Sequence, residues 1–138
     1  LKITQNNKTR CNKCSVRVSN AEYKTMRYLD SVEAIYKYEY AFDDLRNIQG
    51  DYYRFDFAIL DEYGNVETLI ELDGQQHFMP VASWGGEEAL KRIQYNDAVK
   101  NRYCLDNKIN LIRIPYWEFD NIEEILKTKL PQKQLTLL

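Results

Sequence analysis

A single histidine, His77, serves the whole of this 138-residue chain. That scarcity excludes chemistry needing two imidazoles, such as the HExxH zinc hydrolases and the two-histidine iron sites. The sequence has no Gly-x-Ser-x-Gly elbow, which removes a main sign of a serine hydrolase. Three cysteines, an odd number, argue against a secreted disulfide scaffold and favour an intracellular setting. No apolar run is long enough to span a bilayer and no signal-peptide pattern is seen, so no membrane partner is expected. A strong charge of one sign is missing too, since the net charge is −2.

What is present is unevenly spread. Residues 1–28 carry seven bases, Lys2, Lys8, Arg10, Lys13, Arg17, Lys24 and Arg27, against the single acid Glu22. The remainder holds 12 bases and 20 acids. A basic segment joined to an acidic body can hold a phosphate backbone against a carboxylate site, which makes Lys13, Arg17, Lys24 and Arg27 candidate DNA contacts. An ordinary solvated basic tail has the same composition. With 44% hydrophobic residues the chain has enough apolar material for one domain with a real core. Eleven tyrosines suit half-buried strand positions.

The chain begins at Leu1 rather than methionine, and a fragment of a longer protein is expected. Residues 1–18 read as the end of an upstream module, 19–130 as the main domain and 131–138 as a tail. Cys11-Asn12-Lys13-Cys14 is half of a zinc site, with no second pair at a suitable spacing. Cys104 falls in a helical pattern and reads as buried packing.

Ser19 with Glu22 three residues later forms a capping-box pattern that opens a helix running to about Val32. Tyr36 to Phe42 alternates as a strand, and 43–51 reads as a polar connection. Tyr53–Leu60 and Val66–Leu72 flank the turn Asp61–Asn65 and form a hairpin. Helical spacing returns from Glu87 to about Asn107. A short strand, Ile109–Ile114, stops at Pro115, and a last helix spans about Asp120 to Leu130. The order α-β-β-β-α-β-α predicts an α/β (α+β) mixed sheet flanked by helices, with the third and fourth strands parallel.

The hairpin holds the chemistry. Asp56 sits between Phe55 and Phe57, and Glu71 and Asp73 share a face of the next strand. A four-residue turn from Glu62 to Asn65 would set Asp56 opposite Glu71, with Cβ atoms about 5 Å apart. Like charges that close need an offset, and a divalent cation such as magnesium supplies one. Acids are depleted in strands, so three on one face within apolar sequence are poorly explained by solubility alone. His77 follows four residues after Asp73, where a general base is useful, although a lone histidine more often has a structural role. Asp97 and Lys100 lie one turn apart on the long helix, a spacing typical of a surface ion pair.

Taken together, Phe55-Asp56-Phe57, Ile70-Glu71-Leu72-Asp73-Gly74-Gln75-Gln76-His77-Phe78, Asp97-Ala98-Val99-Lys100-Asn101-Arg102-Tyr103-Cys104 and Leu111-Ile112-Arg113-Ile114-Pro115-Tyr116 resemble a subgroup of the PD-(D/E)xK nuclease fold. That subgroup is the phage-encoded homing endonucleases of the EDxHD type, which are similar in fold to the very-short-patch mismatch repair endonuclease. The resemblance covers roughly residues 11–127, and Asp73 stands where the motif lysine is usual. It implies a restriction-endonuclease-like core, a metal-dependent DNA endonuclease activity and an active site of Glu22, Asp56, His77 and Asp97. Glu71 and Asp73 stand near the unspecified position, and Lys100 stands in for the missing lysine. Magnesium, or manganese, would bind at Asp56 and Glu71. Cys11 and Cys14 would be the downstream half of a structural zinc module. Double-stranded DNA is the implied partner, and cutting both strands would call for a homo-oligomer. The implied setting is the cytoplasm of a phage-infected host cell. Two alternatives stay open: a repair nickase acting at mismatches, and a catalytically inactive DNA-binding module of the same fold.

Overall fold

A computed structural model describes residues 18–131 of the chain. Its elements, in order, are helix α1 (Asn20–Ser31), strands β1 (Ile35–Arg46), β2 (Tyr52–Leu60) and β3 (Val66–Asp73), helix α2 (Gly86–Asp106), strand β4 (Asn110–Pro115) and helix α3 (Ile122–Lys129). Short 3-10 turns at Gln75–His77, Ala82–Trp84 and Tyr116–Asn121 join them. The class is mixed α/β, as expected from the sequence. The 1–18 and 131–138 segments lie outside the described residues except for Val18 and Pro131, so Cys11, Lys13, Cys14 and Arg17 do too. Among the described residues no helix is long and apolar enough to cross a membrane.

The four strands form one sheet in the order β1-β2-β3-β4. β1, β2 and β3 are antiparallel neighbours, and β4 lies parallel to β3. A parallel neighbour needs a crossover, and α2 provides it. The sheet separates two apolar clusters. On one side Phe57, Ile59, Ile70, Ile112 and Ile114 pack against Leu29 of α1 and Ile122 and Leu126 of α3. On the other, Phe55, Ala58 and Leu69 pack with Leu45 and with Cys104 of α2. Cys104 is buried, as its helical setting predicts. β1 runs on through Arg46, beyond the expected polar break, because Leu45 is drawn into the second cluster.

One irregularity positions the site. In a regular strand, residues two apart share a face. Here Phe57 joins the first core and Phe55 the second, while across the ladder Tyr38 packs on the first and Tyr40 on the second. Both strands therefore turn over at the level of Glu39 and Asp56. Glu39 has φ 59°, in the left-handed region that side chains with a Cβ rarely occupy. Asp56, at the point of reversal, uses its side chain within the sheet: its Oδ2 accepts the backbone N–H of Leu72 at 2.7 Å. The β2–β3 ladder thus opens at its end around a carboxylate.

The hairpin register reaches the anticipated pairing by a different route. The Asp61 N–H donates to the Asn65 carbonyl at 2.8 Å, so the turn is one residue shorter than the four assumed. A shift between the Ile59↔Thr68 and Leu60↔Val66 pairs then restores the count, and Phe57 faces Ile70. One step further, Asp56 stands opposite Glu71.

Candidate active site

Beyond the open end of the hairpin lies a cleft of about 420 Å³, whose lining includes Glu22, Arg54, Asp56, Glu71, His77 and Lys100. Five elements bring these groups together: α1, β2, β3, the 3-10 turn Gln75–His77 and α2. The first turn of α1 supplies Glu22. Its capping box is formed as the sequence predicts: the Glu22 N–H donates to Ser19 Oγ at 3.1 Å, and Glu22 Oε1 accepts the Ser19 N–H at 2.9 Å. The cap and the candidate acid are thus one residue.

Asp56 and Glu71 face each other from β2 and β3. Burial, followed by the charge of Glu71, pushes the Asp56 carboxyl up to about 7, against the opposing pull of the Leu72 N–H. Burial and a like charge both favour the protonated form. Glu71 has a cation bound to it, since Lys100 Nζ reaches its Oε2 at 2.6 Å and also lies 5.2 Å from the Phe55 ring centroid. Lys100 therefore faces the sheet, and the surface pair with Asp97 does not form.

Asp97 turns inward as well. Its Oδ2 lies 2.8 Å from His77 Nδ1. With Nδ1–H donating to this carboxylate, Nε2 is left as the acceptor of an imidazole that lines the cleft. Burial opposes the imidazolium, but the Asp97 hydrogen bond and the charges of Asp97 and Asp73 outweigh it, so the His77 pKa is raised.

The geometry separates the two acids of β3. Glu71 lines the cleft with Asp56, whereas Asp73 stands behind it and is held by Arg113 Nη1 at 2.9 and 3.0 Å. Its distance to His77 Nδ1 is 3.6 Å. Arg113 also donates from Nη2 to the Asp97 carbonyl at 3.4 Å and from Nε to Asn101 at 2.9 Å. Sequence reasoning assigned Arg113 no role. The available signal was a charge inside Leu111-Ile112-Arg113-Ile114, since a buried parallel strand usually reads as a continuous apolar run.

Tyr38 was missed as well: burial, then the charges of Glu22 and Glu39, raise its pKa and keep its hydroxyl protonated beside Glu22. The candidate DNA contacts on α1 lie apart from the carboxylates. Lys24 pairs with Asp120 at 3.6 Å, and Arg27 lies 5.8 Å from the Tyr23 ring centroid.

Among the described residues no three His, Cys, Asp or Glu side chains are gathered into a closed metal cage. Magnesium does not need one, because it is usually held by one or two carboxylates with water and substrate phosphate completing its shell. The facing Asp56 and Glu71, the first raised to about 7 by burial and by the charge of the second, fit that donor set.

Comparison with known proteins adds little. No family model and no solved structure matches the chain. A stretch of 48 residues is 38% identical to uncharacterized protein 307L of Invertebrate iridescent virus 6, covering 34% of this chain and 24% of that protein.

Proposed function

We propose that the chain is the catalytic part of a metal-dependent endonuclease that hydrolyses phosphodiester bonds in double-stranded DNA, built on a restriction-endonuclease-like core. The observation that carries the reading is a convergence: the facing carboxylates Asp56 and Glu71 and the His77–Asp97 pair meet at one cleft. A structural role for the acids alone would not call for an imidazole presented beside them. The similarity to an iridescent-virus protein agrees with a viral setting.

Hydrolysis forms a bond from water oxygen to phosphorus and breaks the bond to one sugar oxygen, which leaves as a hydroxyl after taking a proton from solvent water. His77 Nε2 accepts the proton that the attacking water loses. Asp97 holds the ring in that tautomer and stabilises the imidazolium that results. Asp56 and Glu71 would hold magnesium; when bound, it supplies Lewis acidity and charge to offset the negative charge developing on the phosphate. Lys100 fixes the orientation of Glu71 and adds a positive charge close to the reaction. Glu22, tied through one oxygen to the helix cap, presents a further acid to the cleft.

Cleavage of a supercoiled plasmid in magnesium or EDTA, comparing the chain with Asp56→Ala, tests the reading. Magnesium-dependent nicking that the variant loses is the expected result. Undiminished metal-dependent cleavage by Asp56→Ala refutes the assignment.

A further inference from the structure

A phosphodiester entering this cleft meets three acids, Glu22, Asp56 and Glu71. The positive groups nearby are already engaged. Lys100 is bound to Glu71 at 2.6 Å, His77 to Asp97 at 2.8 Å, and Arg113 to Asp73 at 2.9 Å. On α1, Lys24 is paired with Asp120. Arg54 is the exception. It lines the cleft, it is exposed, and among the described residues its side chain makes no ion pair or hydrogen bond. It stands on β2 two residues before Asp56. Its cross-strand neighbour is Ala41, too short and apolar to hold a guanidinium.

An unpaired arginine on an exposed strand is commonplace, and exposure alone would not single it out. Its position does, because it brings an uncommitted planar fork of donors to the mouth of an acidic cleft. Such a fork matches the paired oxygens of a phosphate, and no other cation lining the cleft is free to do the same. We propose that Arg54 is the phosphate-binding residue of the cleft, contacting a backbone phosphate of the bound DNA strand. The assignment rests on the nuclease reading and supplies what that reading lacks, a group that draws a polyanion towards carboxylates.

A phosphate contact displaces counterions, so it has a signature separate from cleavage. Each one contributes about 0.9 to the slope of log K against log salt for duplex DNA. Binding of a fluorescent duplex oligonucleotide is measured by anisotropy across a salt series in EDTA, where no cutting interferes. The proteins compared are the intact chain, Arg54→Ala, Arg54→Lys and Arg102→Ala. Arg102 lies on the exposed side of α2, paired with Asp106 at 3.0 Å, and serves as a control cation away from the cleft. Arg54→Ala is expected to weaken binding and lower the slope by about 1. Arg54→Lys is expected to recover the slope, with affinity below that of arginine. An unchanged slope in Arg54→Ala, or an equal loss in Arg102→Ala, overturns the assignment and leaves the nuclease reading standing. Salt-independent or absent binding by the intact chain, with no plasmid nicking, overturns both.

Discussion

Asp56 is held at a cost to the fold, and replacing it tests the electrostatic account of the site. Its carboxyl rises from an ordinary 3.8 to about 7. A raised carboxyl pKa means that, between those two values, the native chain binds a proton that the unfolded chain has released. Stability therefore falls as pH rises through this window and levels off above about 7. At 1.36 kcal/mol per pKa unit, the ionised form costs on the order of 4 kcal/mol. Asn cannot ionise, yet its amide oxygen can still accept the Leu72 N–H and its NH₂ can donate to Glu71. Asp56→Asn should be more stable than the parent at pH 8 by a few kcal/mol, and the two should converge near pH 4. Urea unfolding followed by circular dichroism at pH 4, 6 and 8 measures this directly. Magnesium should stabilise the parent at pH 8 and leave the variant unmoved, since ligand that binds only the native state adds to its stability. A variant less stable than the parent at pH 8 would refute the reasoning, because it would show that Asp56 is already satisfied by protein groups.

Two further outcomes follow from the groups behind the cleft. Asp97→Asn removes the negative charge that stabilises the imidazolium and raises the His77 pKa, and its amide NH₂ can instead donate to Nδ1 and favour the wrong tautomer, so the cleavage rate should drop by about 100-fold or more. The acid limb of the pH–rate profile should also move to lower pH, and an unmoved limb would show that Asp97 does not act through His77. Arg113→Ala strands the buried Asp73 without its partner and should cost about 3 kcal/mol of stability at pH 7, measured by denaturant unfolding. A loss below about 1 kcal/mol would show that His77 and water suffice for Asp73.

Much of this was readable from local pattern. The capping box at Ser19 and Glu22 involves one turn of helix and formed as written. The parallel pairing of β3 and β4 followed from the long helix between them. Asp56 came to face Glu71, but two errors cancelled: the turn is shorter than assumed and a ladder irregularity makes up the difference. The face reversal at Glu39 was hidden, because nothing in Tyr36–Phe42 distinguishes regular alternation from a strand that changes sides. Partner choice was hidden for a related reason. Asp97 and Lys100 sit at a spacing that suits each other, and only the packing of α2 on the sheet sends one to His77 and the other to Glu71. Arg113 lies forty residues from Asp73 in the chain, beyond the reach of any local rule.

That separation orders events during synthesis. Glu22, Asp56, Glu71, His77, Asp97 and Lys100 all emerge before residue 101, yet the guanidinium that neutralises Asp73 and braces Asp97 belongs to the last strand. A nascent chain could carry every acid and base of the cleft without the charge balance that aligns them. On the nuclease proposal, hydrolytic competence would arrive only with the docking of β4.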